Sequence, residues 1–459
     1  MVTRADFLLG SFAAAAAGVA APGRVWPAAF DTALDRYIAK PTPEYHFDVV
    51  KTIDGGAYQT RVISMISQQW RNSREVDKPL WKHWVVVTEP ERIKTDICLL
   101  VITGGSNTEA PPHRVSSIVA DVASRTGAVV AEVHMVPNEP LVFADEHRPR
   151  AEDDLIAYSW NKFLRTGDDT WPLRLPMTKA AVRAMDTVSA LYPVKRFIVG
   201  GTSKRGWTTW LTPAVDNRVV AIVPVVIDTL NVERSAAHEY RVYGFWPEAL
   251  QPYEQMGIMK WIGTPQFDAL MSIEDPYSYR DRITVPKLIV NATGDQYFTP
   301  DSSQFYYGGL QGEKYLRYVP NTDHSLKGAA RTAAETGKAF VDSIINGNAL
   351  PRYSWQMDGD GAINVQSETK PLSVKLWQAL NPDARDFRLE TIGNAFESTQ
   401  LRDRGNSTYA ASVPRPPRGF TAYFVELTYA TTHNDLFTVT TAVRVTPDVL
   451  PFRPPRSAY

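Results

Sequence analysis

The sequence predicts an α/β domain, with a mostly parallel sheet covered by helices, followed by an all-β sandwich of immunoglobulin-like type. Three observations predict it. Short runs rich in Val and Ile alternate with helical patterns from Ile97 to Ile345. A glycine-flanked serine, Ser203, stands between one such run and a helical pattern. Beyond Leu350-Pro351 the pattern changes to short strands of period two separated by turns.

The N-terminal run Phe7–Ala21 is almost continuously small or apolar. It is shorter than the roughly 20 residues that span a bilayer. It follows Arg4 and ends in Ala20-Ala21, which is the layout of a secretory signal peptide. Residues 1–25 are therefore expected to be removed on export, to a bacterial periplasm or to the outside. Thr3–Gly10 resembles a twin-arginine signal, but Ala5 stands where the second arginine belongs. No other stretch reaches membrane-spanning length.

From Phe30 to Glu91 the chain alternates, as in Tyr58–Ser67 and Lys82–Thr88, and reads as antiparallel strands at one sheet edge. The runs Ile97–Thr103, Ala128–Val133, Phe197–Val199, Val219–Ile227 and Lys287–Asn291 read as strands buried on both faces. Arg114–Ser124, Thr178–Tyr192 and Gly328–Ile345 carry helical spacing. Two stretches interrupt the alternation, at about 135–177 and 230–284. The second holds Tyr240, Tyr243, Phe245, Trp246, Tyr253, Trp261 and Phe267. These aromatics either roof a site or form a satellite core. In the tail, 350–459, Ser373–Trp377, Thr421–Thr428 and Phe437–Val445 read as strands, with a turn at Asp358–Gly361.

Composition narrows the function. There are 49 basic and 50 acidic residues, so no basic face for nucleic acid is expected. The single cysteine, Cys98, excludes an internal disulfide and a multi-cysteine metal site, and its apolar run predicts a buried thiol. There is no H-E-x-x-H, and Glu132-Val-His134 is too little for a metal. Neither a Walker A sequence nor G-x-G-x-x-G occurs, so no cofactor is expected.

The segment Gly201-Thr-Ser203-Lys-Arg205-Gly206 has the context of a nucleophile elbow, a sharp turn that lifts a serine above a sheet. It departs from G-x-S-x-G: Arg205 takes the fifth position and glycine follows at Gly206. A serine needs a base, and the base needs an orienting carboxylate. Asp295 follows the strand Lys287–Asn291, and His324 follows the strand Tyr315–Val319. The order Ser203, Asp295, His324 is that of α/β-hydrolases. Asp228 and Asp301 are alternative acids. Donors for an oxyanion are expected from the Lys204 backbone and from Gly104-Gly105 after the strand Ile97–Thr103. The Lys204 side chain either adds charge near the oxyanion, binds an acidic substrate, or is simply solvated.

Long blocks of the chain resemble the PhoPQ-activated pathogenicity-related protein family. They are Gly201–Leu211, Ala214–Asp216, Ile222–Asn231, Ala157–Gly167, Leu175–Asp186 and Asn291–Phe298, with Val374–Ala379 and Phe424–Thr428 downstream. The resemblance spans roughly residues 30–455. It implies an α/β-hydrolase with a β-sandwich tail, mainly in exported bacterial proteins. The family also includes secreted eukaryotic proteins described as autocrine proliferation repressors.

The expected function is an exported serine hydrolase acting on an ester or amide of a small molecule, peptide or polymer. The alternative is a non-catalytic secreted binding or signalling protein on a hydrolase scaffold. On either reading the β-sandwich binds a polymer or a protein partner, or shields an edge of the main domain.

Overall fold

The computed structural model describes residues 31–113, 116–359, 361–431 and 435–454. The expected signal peptide lies outside the described residues. Helix α1 (Ala33–Ala39) opens on a capping box, in which Thr32 and Asp35 satisfy each other's backbone N–H groups. Strands β1 (His46–Asp54), β2 (Tyr58–Gln69) and β3 (Leu80–Pro90) form an antiparallel meander. Then come β4 (Ile97–Ile102), α2 (Ser117–Thr126), β5 (Val129–Val133), and a short ribbon of β6 (Leu141–Val142) and β7 (Pro149–Arg150). Helices α3 (Glu152–Thr166) and α4 (Arg174–Leu191) lead to β8 (Arg196–Thr202), α5 (Lys204–Val215) and β9 (Val219–Val225). Helices α6 (Val232–Tyr243), α7 (Gln251–Gln255) and α8 (Pro265–Glu274) precede β10 (Lys287–Ala292), β11 (Lys314–Val319) and α9 (Ala330–Asn346).

One nine-stranded sheet results, in the order β1-β2-β3-β5-β4-β8-β9-β10-β11. From β5 to β11 every pairing is parallel. Alternation along each strand explains the two layers of core. Cys98, Leu100, Val129, Ala131, Phe197 and Val199 face the core shared with α3, α4 and α5. Val130, Ile198, Ala221, Leu288 and Val290 face the core shared with α2 and α9. A sheet buried on both faces demands the continuous apolar runs seen in the sequence. Cys98 is buried, as its run predicts.

The first interrupting stretch is built around α3. Three acidic residues in its first turn, Glu152, Asp153 and Asp154, oppose the helix dipole, and Gly167 ends it at φ 71°. The second stretch forms α6 to α8. Among the described residues, no helix is long and apolar enough to cross a membrane.

The tail forms two antiparallel sheets. One is β12 (Tyr353–Met357), β13 (Ile363–Ser367) and β16 (Thr408–Ala411). The other holds β14 (Ser373–Asn381), β15 (Glu397–Gln400), β17 (Phe420–Ala430), β18 (Leu436–Thr440) and β19 (Arg444–Thr446). The expected strand Phe437–Val445 is two strands, because the chain breaks at residues 441–443 and Thr441 turns its hydroxyl to the Ala442 carbonyl. The tail covers the outer strand of the main sheet. Tyr318 N–H donates to Thr440 Oγ1 at 3.0 Å, and the Tyr315 and Phe437 rings meet edge-on at 5.2 Å. A buried Arg317–Glu426 ion pair at 2.6 Å crosses the same seam. An edge strand is thereby removed from solvent.

Candidate functional site

Ser203 sits between β8 and α5 with φ 57° and ψ −126°. A positive φ is strained for a residue with a side chain, and the strain holds the hydroxyl above the sheet. The turn needs close approach of helix and strand. A Cβ on Gly201 would lie 2.7 Å from the Arg205 carbonyl oxygen, and one on Gly206 would lie 3.0 Å from the Gly201 and Val225 carbonyls. Gly206 thus carries the packing role at the position after the usual one, and the fifth position is free for arginine.

Two loops after parallel strands bring partners to Ser203. Its Oγ lies 2.7 Å from His324 Nε2, and His324 Nδ1 lies 2.8 Å from Asp295 Oδ2. An Nδ1–H tautomer donates to Asp295 and leaves Nε2 to accept from the serine. The Asp295 carboxylate is buried and also accepts from the Tyr297 N–H at 2.8 Å. The His324 N–H donates to Gln296 Oε1 at 3.1 Å, and the Tyr297 ring packs 4.4 Å from the imidazole. Both contacts limit the freedom of the ring.

The alternative acids lie elsewhere. Asp228 receives hydrogen bonds from Tyr306 Oη at 2.5 Å and Tyr318 Oη at 2.6 Å, and burial pushes its carboxyl up to about 7. Asp301 lies 2.9 Å from Arg385 Nη2 and 3.1 Å from His238 Nε2; although burial opposes ionisation, these partners hold it low.

Lys204 opens α5, so its N–H has no partner within the helix. Its side chain is not solvated: it is buried and paired with Glu152 and, at 3.3 Å, with Asp153. That pairing leaves it unavailable for an acidic substrate. Gly104 and Gly105 follow β4, whose end pairs with the end of β8. Gly105 has φ 126°, and the Gly104 carbonyl accepts from the Met135 N–H. Neither glycine lines the cavity beside Ser203.

Arg205 was the residue whose role the motif hid. Its Nε donates to the Val136 carbonyl at 2.5 Å. Its guanidinium reaches Glu152 at 2.9 and 3.0 Å and Glu139 at 3.2 Å. Burial and the neighbouring Glu152 raise Glu139; burial also works against Glu152, but Arg205 and Lys204 hold that carboxylate low. The departure from G-x-S-x-G was the sequence signal for this brace.

A cavity of about 90 Å³ adjoins Ser203 and His324. Three aromatics of the second stretch, Trp246, Tyr253 and Phe267, line it with Trp160 and Trp207, whereas Tyr240, Tyr243, Phe245 and Trp261 do not. Among the described residues, no group of His, Cys, Asp and Glu could hold a metal.

Solved structures similar to this chain include two esterases. They are an acetyl xylan esterase from Paenibacillus sp. R4 and a glucuronoyl esterase from Solibacter usitatus. The first has 15% identity and a TM-score of 0.49, over 68% of this chain and 92% of that chain. The second has 12% identity and a TM-score of 0.40, over 69% of this chain and 91% of that chain. Among curated proteins, autocrine proliferation repressor protein A of Dictyostelium discoideum is 33% identical over 455 residues, with 92% of each chain covered. The profile of the PhoPQ-activated pathogenicity-related protein family matches residues 34–388. On that match, and on an identity that runs through nearly the whole length, the chain belongs to the PhoPQ-activated pathogenicity-related protein family.

Proposed function

We propose that the protein is an exported serine hydrolase that cleaves an ester or amide through Ser203, His324 and Asp295. The observation that carries this reading is the hydrogen-bonded line from Ser203 Oγ through His324 to Asp295, at 2.7 and 2.8 Å, starting from a strained elbow. Ser203 attacks the carbonyl carbon while His324 Nε2 takes its proton. The C–O bond to the enzyme forms and the carbonyl oxygen becomes an oxyanion. The Lys204 N–H and the Gly104-Gly105 backbone are the donors we assign to it. The intermediate collapses, His324 gives the proton to the leaving alcohol or amine, and an acyl-enzyme remains. Water then repeats the sequence. Asp295 holds the imidazole tautomer and stabilises its charged form.

Export rests on the Phe7–Ala21 run. We read the tail sheets as an immunoglobulin-like sandwich and residues 26–349 as the hydrolase domain. The name of the curated relative, a proliferation repressor, favours a second reading: a secreted signalling protein that keeps the scaffold without turnover.

A fluorophosphonate probe separates the two. On the hydrolase reading it labels wild type at Ser203, and Ser203→Ala abolishes labelling without loss of fold. A folded wild type that is never labelled, and that turns over no ester or peptide in a broad screen, supports the signalling reading.

A further inference from the structure

The inward stripe of α6 carries one charged residue. Val232, Ala236 and Glu239 recur at helical spacing and line the cavity beside Ser203 and His324. An apolar side chain is expected at the third of these positions, and a carboxyl stands there instead. Glu239 is 6% exposed. Its Oε1 is buried with no hydrogen-bond partner. A buried polar atom left unpaired is costly and calls for an explanation.

The other charged side chains of the cavity have ionic partners, although Trp160 Nε1 and Arg174 Nε are also buried without a hydrogen bond. Lys204 is paired with Glu152 and Asp153, and Asp153 also accepts from Tyr253 Oη at 3.0 Å. Arg174 stands 3.8 Å from Glu274 and lies over the Trp207 ring. Glu239 differs from them: it has charged neighbours but no hydrogen bond to spend its carboxyl on. Around it the walls are apolar and aromatic, with Trp246, Leu250 and Ile262.

We propose that Glu239 reads the substrate, by hydrogen-bonding a hydroxyl on the otherwise apolar group that fills this cavity. The proposal rests on the hydrolase reading and names its substrate class: an ester or amide whose acyl or leaving group is short, largely apolar and hydroxylated. A neutral carboxyl matches a hydroxyl in both directions, since its O–H donates and its carbonyl oxygen accepts. Burial pushes the Glu239 carboxyl well above the usual range, the nearby Asp295 pushes it further, and Arg388 opposes. An ammonium ligand would instead require a second carboxylate charge beside Asp295. The cavity, about 90 Å³, admits a small group and not a folded polymer segment.

The test uses full-length protein and esters that differ by one hydroxyl. 4-Nitrophenyl butyrate is compared with 4-nitrophenyl 3-hydroxybutyrate, and butyl acetate with 4-hydroxybutyl acetate. Wild type is expected to favour the hydroxylated member of at least one pair by tenfold or more in kcat/KM. Glu239→Leu should reverse that preference, and Glu239→Gln, which still donates and accepts, should keep most of it. Both variants should unfold cooperatively with the wild-type circular dichroism spectrum and should still be labelled by a fluorophosphonate at Ser203, at whatever rate. Those readouts report that the fold and the nucleophile are present. Equal preference in wild type and Glu239→Leu overturns the proposal, as does a preference for 4-aminobutyl acetate over both partners. If wild type is neither labelled nor active, the hydrolase reading fails on its own. Ligand-observed NMR on Ser203→Ala then decides Glu239 without turnover. Tighter binding of butane-1,4-diol than of butan-1-ol, lost in the double variant with Glu239→Leu, supports the hydroxyl site; equal binding of the two overturns it.

Discussion

The Arg205 guanidinium lies against Gly104, so closely that a Cβ on Gly104 would stand 2.5 Å from Nη2 and 2.8 Å from Cζ. Gly104 follows β4 and Arg205 lies in the first turn of α5, just past β8, and the ends of those two strands are neighbours, since Ile102 pairs with Gly201. Arg205 cannot simply swing aside, because Val136, Glu139 and Glu152 hold it. Gly104→Ala is therefore expected to cost about 1–3 kcal/mol by overpacking. It should also slow fluorophosphonate labelling, since the loop carries the proposed oxyanion donors. Urea denaturation and labelling kinetics check the two effects, and a variant normal in both would refute the brace.

Arg205 itself gives a second prediction. Arg205→Met removes the guanidinium bonds to Val136, Glu139 and Glu152. Burial and Glu152 raise Glu139 to about 8, so at neutral pH the loss there is of a hydrogen bond to a protonated carboxyl and not of a charge partner. Buried groups left unsatisfied cost about 1–3 kcal/mol, and with Glu152 half exposed a loss in that range is expected. Arg205→Lys should recover little, because one ammonium cannot bond Val136, Glu139 and Glu152 together. Full recovery by lysine, measured by denaturation, would mean that charge alone matters here.

Asp295 and Asp301 should separate cleanly. Asp295→Asn is expected to reduce turnover by about 10⁴-fold, since an amide cannot hold the same histidine tautomer. Asp301→Asn should leave labelling within a few-fold. It should lower stability by about 3–5 kcal/mol, because Arg385 is left buried beside a neutral group. Labelling rates and denaturation midpoints for the two variants decide the assignment. If Asp301→Asn is the one that stops labelling, Asp295 is not the orienting acid.

Much of this was legible because the signals were local. The buried runs at Ile97–Thr103 and Lys287–Asn291 needed no partner to be read as strands, and the elbow at Ser203 announced itself through Gly201 and Gly206. The meeting of Asp295 with His324 followed from both lying after adjacent parallel strands, β10 and β11. What stayed hidden depends on contacts between distant segments. Lys204 looked like a lysine on a first helical turn until α3 brought Glu152 and Asp153 to it. Asp228 and Asp301 each had a plausible sequence position, and only Tyr306, Tyr318 and Arg385 show where they are engaged. Glu239 carried no sequence signal within the interrupting stretch, and burial alone distinguishes it.

Asp228 predicts a pH dependence. Its carboxyl is raised to about 7 by burial, which outweighs the hydrogen bonds from Tyr306 and Tyr318. In the unfolded chain an aspartate titrates at about 3.9. Below that pH both states hold the proton and the contribution to folding is fully present. As pH rises towards 7 the unfolded chain ionises and the folded chain does not, so stability falls; above about 7 the loss is constant. Asp228→Asn removes the titration. The difference in stability between variant and wild type should therefore move in the variant's favour from pH 4 to pH 8, whatever fixed offset the lost tyrosine bond adds. Denaturation across that range tests it, and a flat difference would mean that Asp228 does not titrate there.

The last prediction concerns the tail. Its strands contribute to both layers of the main core: Ala422, Phe424 and Val445 join one, and Val425, Leu427 and Phe437 join the other. Tyr318 depends on Thr440 for its backbone bond, and Arg317 depends on Glu426 for its charge partner. A chain ending at residue 350 would expose the edge of β11, apolar side chains on both faces beside it, and one unpaired buried arginine. Exposed strand edges of this kind associate with one another. The truncated chain is expected to be insoluble or aggregated, not a smaller active hydrolase. Phe437→Ala in the full chain gives the graded control: it removes the ring that meets Tyr315 and should cost about 3–5 kcal/mol. Size-exclusion chromatography of the truncation and denaturation of Phe437→Ala are the measurements. A truncated chain that runs as a monomer, melts cooperatively near the wild-type temperature and is still labelled at Ser203 would show that the main sheet does not need its cover.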